Sequence, residues 1–317
     1  MSAPPTVLPA ASSPWPLPAP AAPIAYLARI RSYYLALGYG APYEWARFTS
    51  VPFYPLSKPL AECRVALVTT AAPYQPDKGD QGPGAPYNAA AKFYSVYSGA
   101  AATDPDLRIA HVAIDRRHTK ATDMASYFPL AALRDAAASG RIGSVVPRFH
   151  GLPTNRSQRV TLDVDVPELI ARCQADGADA AILVANCPVC HQSVSLAARG
   201  LEAAGIATVV LGCAQDIVRQ VGVPRFVFSD FPLGNAAGRP HDSASQAFTL
   251  ALALGLLEAA PGPRSLVQSP LRWAASDDWK LDYSNIDRLS PDEIARRRAE
   301  FDRGKAEAQR VREQSAP

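Results

Sequence analysis

Two cysteines separated by two residues, Cys187 and Cys190, are the side chains in this sequence best suited to chemistry. They follow the apolar run 180–185 and precede a segment with helical spacing from about 192 to 204. A strand that leads through such a pair into a helix places sulfur beside unpaired backbone N–H groups and the positive end of the helix dipole. Because this environment stabilises a thiolate, the pattern predicts a nucleophilic or redox-active dithiol.

The order of the two cysteines predicts different roles for them. Cys187 lies nearer the strand end, so we expect it to be the more accessible sulfur and the attacking nucleophile. Cys190 lies one helical turn further on, where it would resolve an intermediate by closing a disulfide with Cys187. The alternative is a buried, inert pair, since cysteine is among the most buried residue types.

Metal and haem sites are the competing interpretations of the same motif. A structural zinc site takes four ligands, and the chain has neither a second Cys-x-x-Cys pair nor two closely spaced histidines. Residues 187–191 satisfy the haem-attachment pattern Cys-x-x-Cys-His. Covalent haem requires export, however, and the N-terminal stretch has no basic region before an apolar core. We therefore predict no metal ligands, and a metal- or haem-binding carrier is the least favoured function.

Short apolar segments alternate with amphipathic ones along most of the chain. The pattern predicts strands at 65–69, 107–112, 142–146, 180–185, 208–211 and 225–228. It predicts intervening or flanking helices at 24–37, 129–138, 166–174, 192–204, 215–221, 247–260 and 291–314. Such alternation is typical of an α/β fold with a doubly wound, mostly parallel, Rossmann-like sheet. An arrangement in two similar lobes is left open.

Changes in composition divide the chain into four regions. We predict a disordered Pro/Ala-rich tail at 1–23 and an N-terminal helix with a wrapping segment at 24–62. An α/β catalytic region follows at 63–262, and a C-terminal extension with a charged helix occupies 263–317.

Ligands of such sheets bind at the carboxyl ends of the strands, and the predicted strand ends carry polar side chains. The long Gly/Pro-rich loop 73–86 is a further candidate, because unstructured loops of that length are usually functional. From these positions we predict substrate contacts from Thr70, Asp80, His111, Arg148 and His150. His191 adjoins Cys190 and is the third predicted catalytic residue, as a proton donor.

Charge and cysteine content restrict the class of protein. The 32 basic and 29 acidic residues give a net charge of +3 and are scattered, which argues against a nucleic-acid partner. No run approaches the roughly 20 apolar residues that a bilayer span needs. Five cysteines in 317 residues do not resemble a secreted disulfide framework. We expect a cytoplasmic homo-oligomer that contacts neither membrane nor nucleic acid.

Several segments together resemble the substrate-specific subunit, selenoprotein B, of glycine, sarcosine and betaine reductases and the related D-proline reductase. They occur in order between about residues 43 and 260: 43–48, 55–60, 65–70, Gly79 with Asp80, His111 with Asp115, Asp123 ahead of 128–130, 140–145, 187–190, 231–234 and 238–240. In that family the first position of the motif is commonly selenocysteine, which attacks the α-carbon of an amino acid and expels the amine reductively. Here Cys187 occupies that position, so the chain resembles a cysteine-containing homologue.

The residues and the resemblance together predict a thiol-dependent, reductase-like enzyme, an oxidoreductase of the glycine/D-proline reductase B-subunit type. Cys187 would attack an electrophilic carbon of a small polar, amino-acid-like substrate, so that a C–N or other C–heteroatom bond breaks. We expect no cofactor bound by this chain and an external dithiol reductant, such as a thioredoxin-like donor. The resemblance implies a pyruvoyl group on a partner reductase subunit. The alternative is a redox-neutral hydrolase or lyase that cleaves a C–S, C–N or C–halogen bond and returns Cys187 unchanged.

Overall fold

A computed structural model describes residues 21–109 and 111–314. The predicted tail 1–23 therefore lies almost wholly outside the described residues. The strands are β1 (Arg64–Thr69), β2 (Ala72–Pro73), β3 (Tyr97–Ala100), β4 (Leu107–Arg108), β5 (Ser144–Val145), β6 (Arg148–Gly151), β7 (Ala180–Val184), β8 (Ala207–Gly212), β9 (Arg225–Phe228) and β10 (Ser265–Gln268). The helices are α1 (Tyr26–Ala36), α2 (Leu130–Ala138), α3 (Gln158–Val160), α4 (Val166–Ala175), α5 (Pro188–Ala203), α6 (Gln215–Val221), α7 (Ser243–Ala259) and α8 (Pro291–Gln314). A π-helical turn, Thr161–Asp165, joins α3 to α4, and short 3-10 turns occur at Leu60–Glu62, Pro76–Lys78, Ala89–Ala91, Met124–Ser126, Asp278–Leu281 and Ile286–Arg288.

One eight-stranded sheet organises the fold. Its order is β10-β9-β8-β7-β1-β6-β3, with β5 also paired to β1, and all its pairs are parallel except β3 with β6. Strands β2 and β4 form a separate antiparallel pair. The prediction of a mostly parallel α/β sheet is confirmed. Among the described residues, β1 lies at the centre of this sheet and is hydrogen-bonded to strands on both sides.

Helices cover both faces of this sheet. In β7, Ile182 packs into a core with Leu133 of α2, while the next residue, Leu183, packs into a second core with Leu169 of α4 and Val194 of α5. Side chains alternate across a strand, so a strand that is buried on both faces reads as a continuous apolar run. That is why 180–185 was recognisable in the sequence.

Two predicted strands differ from the structure. Among the described residues of the segment 107–112, only Leu107 and Arg108 form a strand, and they pair with β2 outside the main sheet. The segment 142–146 contributes only the two residues of β5, and the chain resumes as β6 after Pro147. Proline has no backbone N–H to donate, so Pro147 interrupts the ladder with β1. Arg148 and His150 consequently lie within a strand instead of following one.

The two ends of the described chain pack on each other. In α8, Arg298 donates a hydrogen bond to the Leu37 carbonyl at 2.6 Å, and Phe301 packs edge-on against Tyr34 with ring centroids 5.3 Å apart. Strand β10 shows that the sheet itself extends beyond the predicted boundary at 262. Within 21–109 and 111–314, every helix is too short or too polar to cross a bilayer.

Candidate active site

The dithiol lies at the junction between β7 and α5. Helix α5 begins at Pro188, earlier than predicted, with Cys187 as its N-cap residue. Proline suits this first position because its fixed φ is helical and its missing N–H would be unpaired there anyway. The Cys190 backbone N–H donates to the Cys187 sulfur at 3.3 Å. The start of the helix therefore directs a hydrogen-bond donor at Cys187, as the sequence pattern indicates.

The two sulfur atoms are 2.8 Å apart and both cysteines are free. The site is closed, since Cys187 is 4% exposed and Cys190 is fully buried. Cys187 is thus the slightly more accessible of the two. A separation this short lets one proton be shared between the sulfurs.

Thr154 and His111 complete the surroundings of Cys190. The Thr154 hydroxyl oxygen lies 3.2 Å from the Cys190 sulfur and 3.3 Å from His111 Nε2. One ligand-type atom from each of His111, Cys187 and Cys190 lies within 4.8 Å of the others. The sequence predicted His111 at the site but missed Thr154, because a threonine just after a short strand carries no pattern of its own.

The electrostatics of the pair favour a negative charge on Cys190. Burial opposes ionisation there, but the hydrogen bond from the Cys187 thiol and the adjacent His111 ring outweigh it, so the pKa of Cys190 lies well below its usual value. Burial and the hydrogen bond to Cys190 raise the pKa of Cys187 well above its usual value. In the closed, reduced pair the negative charge is therefore favoured on Cys190, although the backbone N–H at the helix start lowers the pKa of Cys187.

Lys92 and Arg116 add positive charge near the sulfurs. Burial lowers the pKa of Lys92, while Cys187 and Cys190 act in the opposite direction. Arg116 has a lowered pKa for the same reason, and Cys187 again opposes the shift. Neither residue was predicted, since both precede the dithiol by more than 70 positions and only the fold brings their charges within reach of it.

Thr70 acts on the segment that leads to the dithiol. Its hydroxyl donates to the Val184 carbonyl at 3.3 Å and accepts from the Asn186 side chain at 3.1 Å. It is fully buried, so these bonds fasten the end of β1 to the turn before Cys187. This places Thr70 beside the site as a positioning residue.

His191 is held by backbone groups on both ring nitrogens. Nδ1 lies 2.7 Å from the Cys187 carbonyl oxygen, and Nε2 accepts from the N–H groups of Cys213 at 2.8 Å and Ala214 at 3.0 Å. Burial lowers the pKa of His191 to about 4, so the ring is neutral with its proton on Nδ1. Through these bonds His191 ties α5 to the end of β8. Since no ring lone pair remains free, no nitrogen is left to bind a haem iron.

The structure places the other three predicted contacts away from the sulfurs. Arg148 and His150 both face Asp176, with distances of 2.8 Å and 3.1 Å. Asp176 ends α4 and precedes β7, so it lies at the amino edge of the sheet, opposite the edge that carries Cys187. Burial lowers the pKa of His150 to about 4. Asp80 is exposed and accepts a hydrogen bond from the Gly82 N–H within its own turn.

The segment 87–94 and α8 lie over this region. Tyr94 donates a hydrogen bond to the Ala308 carbonyl of α8 at 2.7 Å, and a Cβ added to Gly304 would lie 3.1 Å from the Tyr87 ring. Lys92, whose charge acts on the sulfurs, belongs to the same segment. Because both cysteines are buried, a path from solvent to the dithiol requires local movement, and the segment 87–94 with its contact to α8 is the candidate for it.

Comparison with known proteins supports the resemblance in its broad form. The chain is 29% identical over 223 residues to D-proline reductase subunit gamma of Acetoanaerobium sticklandii, an alignment that covers 70% of this chain and 89% of the relative. This similarity supports a distant relation to the proline/glycine reductase family. No protein-family model matches it. No solved structure matches it either.

The relationship supports a reductase-type role for the chain. The alignment is to a D-proline reductase subunit, so the narrower resemblance to selenoprotein B stays a prediction. The name of the relative identifies it as one subunit of an enzyme, which bears on the partners considered below.

Proposed function

We propose that this chain is the thiol-bearing subunit of a reductase that cleaves a C–N or other C–heteroatom bond of a small, amino-acid-like substrate. The 2.8 Å separation of the Cys187 and Cys190 sulfurs carries the proposal. It brings a nucleophile and a resolving thiol within reach of each other at the carboxyl edge of the sheet, where ligands of this fold class bind.

The first half of the reaction forms a covalent adduct. The Cys187 proton passes to the Cys190 thiolate, and the resulting Cys187 thiolate attacks the substrate carbon. A carbon–sulfur bond forms, and the leaving group departs with the electron pair of the broken bond and takes up a proton. His111, beside Cys190, is the candidate for delivering that proton.

The second half releases the product. Cys190 loses its proton and attacks the Cys187 sulfur, so a disulfide forms while the carbon–sulfur bond breaks. The carbon keeps that electron pair and takes up a proton. The substrate has then gained two electrons and two protons from the dithiol, counting the proton on the leaving group. An external dithiol, for which we propose a thioredoxin-like donor, restores the thiols by exchange.

An amine is a poor leaving group, so cleavage of a C–N bond needs electrophilic activation. A pyruvoyl group on a partner subunit would supply that activation, and the subunit name of the relative supports the existence of a partner subunit. The residues of this chain would then supply the two thiols and their shared proton at a buried position.

Single-turnover thiol counting tests the proposal, with D-proline as the first probe because it appears in the name of the relative. The reduced protein, with any subunit that co-purifies, is mixed with substrate without an external dithiol. We expect one product and the loss of two thiols per active chain. Cys187→Ser should form no product, and Cys190→Ser should stop at an adduct on Cys187 that mass spectrometry detects. Cys173→Ser, in the core away from the site, is the matched control.

Multiple turnovers without loss of thiols would contradict the reductive mechanism. That outcome would instead favour the redox-neutral hydrolase or lyase, in which Cys187 is returned unchanged. Full activity of Cys187→Ser would exclude both mechanisms.

A further inference from the structure

We propose that the reduced site binds a thiophilic divalent cation of the Zn²⁺ class through Cys187, Cys190 and His111. These residues supply two sulfurs and one imidazole nitrogen, with one ligand atom from each within 4.8 Å of the others. Sulfur and imidazole are the preferred zinc ligands, and three protein ligands with an open fourth position are typical of reactive zinc sites. The sequence predicted no metal ligands, because the histidine is supplied from a segment more than 70 residues away.

The required geometry is close to the one observed. Zn–S bonds of about 2.3 Å and Zn–N bonds of about 2.0–2.1 Å in a tetrahedron put ligand atoms about 3.5–3.8 Å apart. The sulfurs, at 2.8 Å, would separate by about 1 Å, and the remaining atoms would approach by up to about 1.3 Å. Side-chain rotations can supply movements of this size without shifting β7 or α5.

His111 is prepared for such a ligand. Its Nδ1 is buried and has no hydrogen-bond partner among residues 21–109 and 111–314, whereas Nε2 faces the Thr154 hydroxyl at 3.3 Å. Thr154 can accept from or donate to Nε2, so the ring can offer its lone pair on either nitrogen. Zinc-bound histidines commonly donate their other ring N–H to a protein oxygen or to water.

The charges of the site suit a divalent cation. Two thiolates carry two negative charges, which a divalent cation neutralises, whereas an uncompensated charge would be costly in so closed a site. Lys92 favours the thiolate forms that metal binding requires, while the positive charges of Lys92 and Arg116 oppose the cation itself. Metal binding should therefore be tighter at higher pH, because thiol protons are released when the cation enters.

The bound cation would occupy the lone pairs that both catalytic steps need. Metal binding, disulfide formation and attack on a substrate would then exclude one another. This consequence rests on the proposed function, while the binding itself does not. A cation-bound form would protect the dithiol from oxidation between turnovers.

Cobalt(II) is the probe for the experiment, because thiolate coordination gives it a charge-transfer band and tetrahedral geometry gives it visible bands. The full-length protein, reduced with a phosphine under anaerobic conditions, is titrated with Co²⁺ and then with Zn²⁺. We expect one Co²⁺ per chain and displacement by one Zn²⁺. Cys187→Ser and Cys190→Ser should lose the charge-transfer band. His111→Ala should weaken binding about tenfold or more, and Cys173→Ser should bind normally.

The fold of each variant is checked by circular dichroism, with His111→Gln as a second variant should His111→Ala not fold. Equal affinity in the wild type and in a folded His111 variant would overturn the proposed ligand set. Binding that survives oxidation of the dithiol would overturn it as well, as would the absence of stoichiometric Co²⁺ binding. Because the readout is spectroscopic, a failure of the proposed reductase activity would not change these results.

Discussion

The Thr154 hydroxyl oxygen lies 3.2 Å from the sulfur of Cys190, and the same oxygen lies 3.3 Å from His111 Nε2. Thr154 is buried, so water competes little for its hydroxyl group. It can accept from His111 while donating its single proton to a Cys190 thiolate. One threonine thus orients the histidine and stabilises the anionic form of the pair.

Thr154→Val should raise the pKa at which the dithiol first ionises. The isosteric side chain removes the donor, and a hydrogen bond to a charged group is worth about 1.5–3 kcal/mol, or roughly one to two pKa units at most. The measurement is the pH dependence of alkylation of the native protein. Thr154→Ser keeps the hydroxyl and should restore the original profile. Identical profiles for wild type and Thr154→Val would show that the contact does not stabilise the thiolate.

The free energy of unfolding should decrease as the pH is lowered, and His191 is one cause. Burial lowers its pKa from the usual 6.5 to about 4, so between these values the unfolded chain binds a proton that the folded protein does not. The contribution is fully present above pH 6.5 and is lost as the pH falls towards 4, at no more than about 1.4 kcal/mol per pH unit.

His191→Gln is the variant that tests this dependence. A glutamine oxygen can accept from the backbone N–H groups but never titrates, so the free energy of unfolding should be lower at pH 7 yet depend less steeply on acid. Urea unfolding at a series of pH values measures both. An unchanged slope would mean that His191 is not the group responsible.

Gly212→Ala should destabilise the junction that holds α5. A Cβ there would lie 2.7 Å from His191 Nε2 and Cδ2 and 3.2 Å from the Phe226 ring. Overpacking of this kind costs about 1–3 kcal/mol. Gly255→Ala in α7 is the control, because its Cβ would meet nothing within 4 Å and should stabilise the helix by up to about 1 kcal/mol. Urea midpoints compare the two, and equal effects would contradict the assigned contact.

Arg148→Ala should leave the alkylation rate of the dithiol within about twofold of the wild type. Arg148 pairs with Asp176 at the amino edge of the sheet, and its side chain is 41% exposed, so the pair contributes about 0–1 kcal/mol. Stopped alkylation with mass analysis gives the rate. A large drop in the alkylation rate would instead support the substrate-site position that the sequence predicted for Arg148.

Tyr94→Phe should make the dithiol more reactive. The change removes the hydrogen bond to the Ala308 carbonyl that joins the segment 87–94 to α8. Losing about 0.5–1.5 kcal/mol of stabilisation between the segment 87–94 and α8 would raise the fraction of molecules in which this segment is open by roughly two- to tenfold. Alkylation of native Cys187 should accelerate by that factor at unchanged pKa. Tyr74→Phe, at an exposed ring away from α8, is the control and should have no effect.

The sequence by itself determined the elements with the strongest local periodicity. The central strands β1, β7, β8 and β9, helices such as α4, α6 and α8, and the parallel class of the sheet all follow from apolar runs and helical spacing. The same local logic located the dithiol at the β7–α5 junction, since a strand end, a proline and two cysteines are neighbours along the chain.

Tertiary structure decided what depends on partners distant in sequence. Strand β6 takes its place through pairing with β1 after Pro147, so Arg148 and His150 lie within that strand and their side chains face Asp176. Likewise only the fold brings Thr154 and His111 to Cys190 and gives His191 its backbone partners. Hydrophobic periodicity in the sequence indicates which face of a helix or strand is buried. Hydrogen bonds and charge pairs form between whichever groups the packed elements bring together. The roles of these polar residues could therefore be assigned only from the structure.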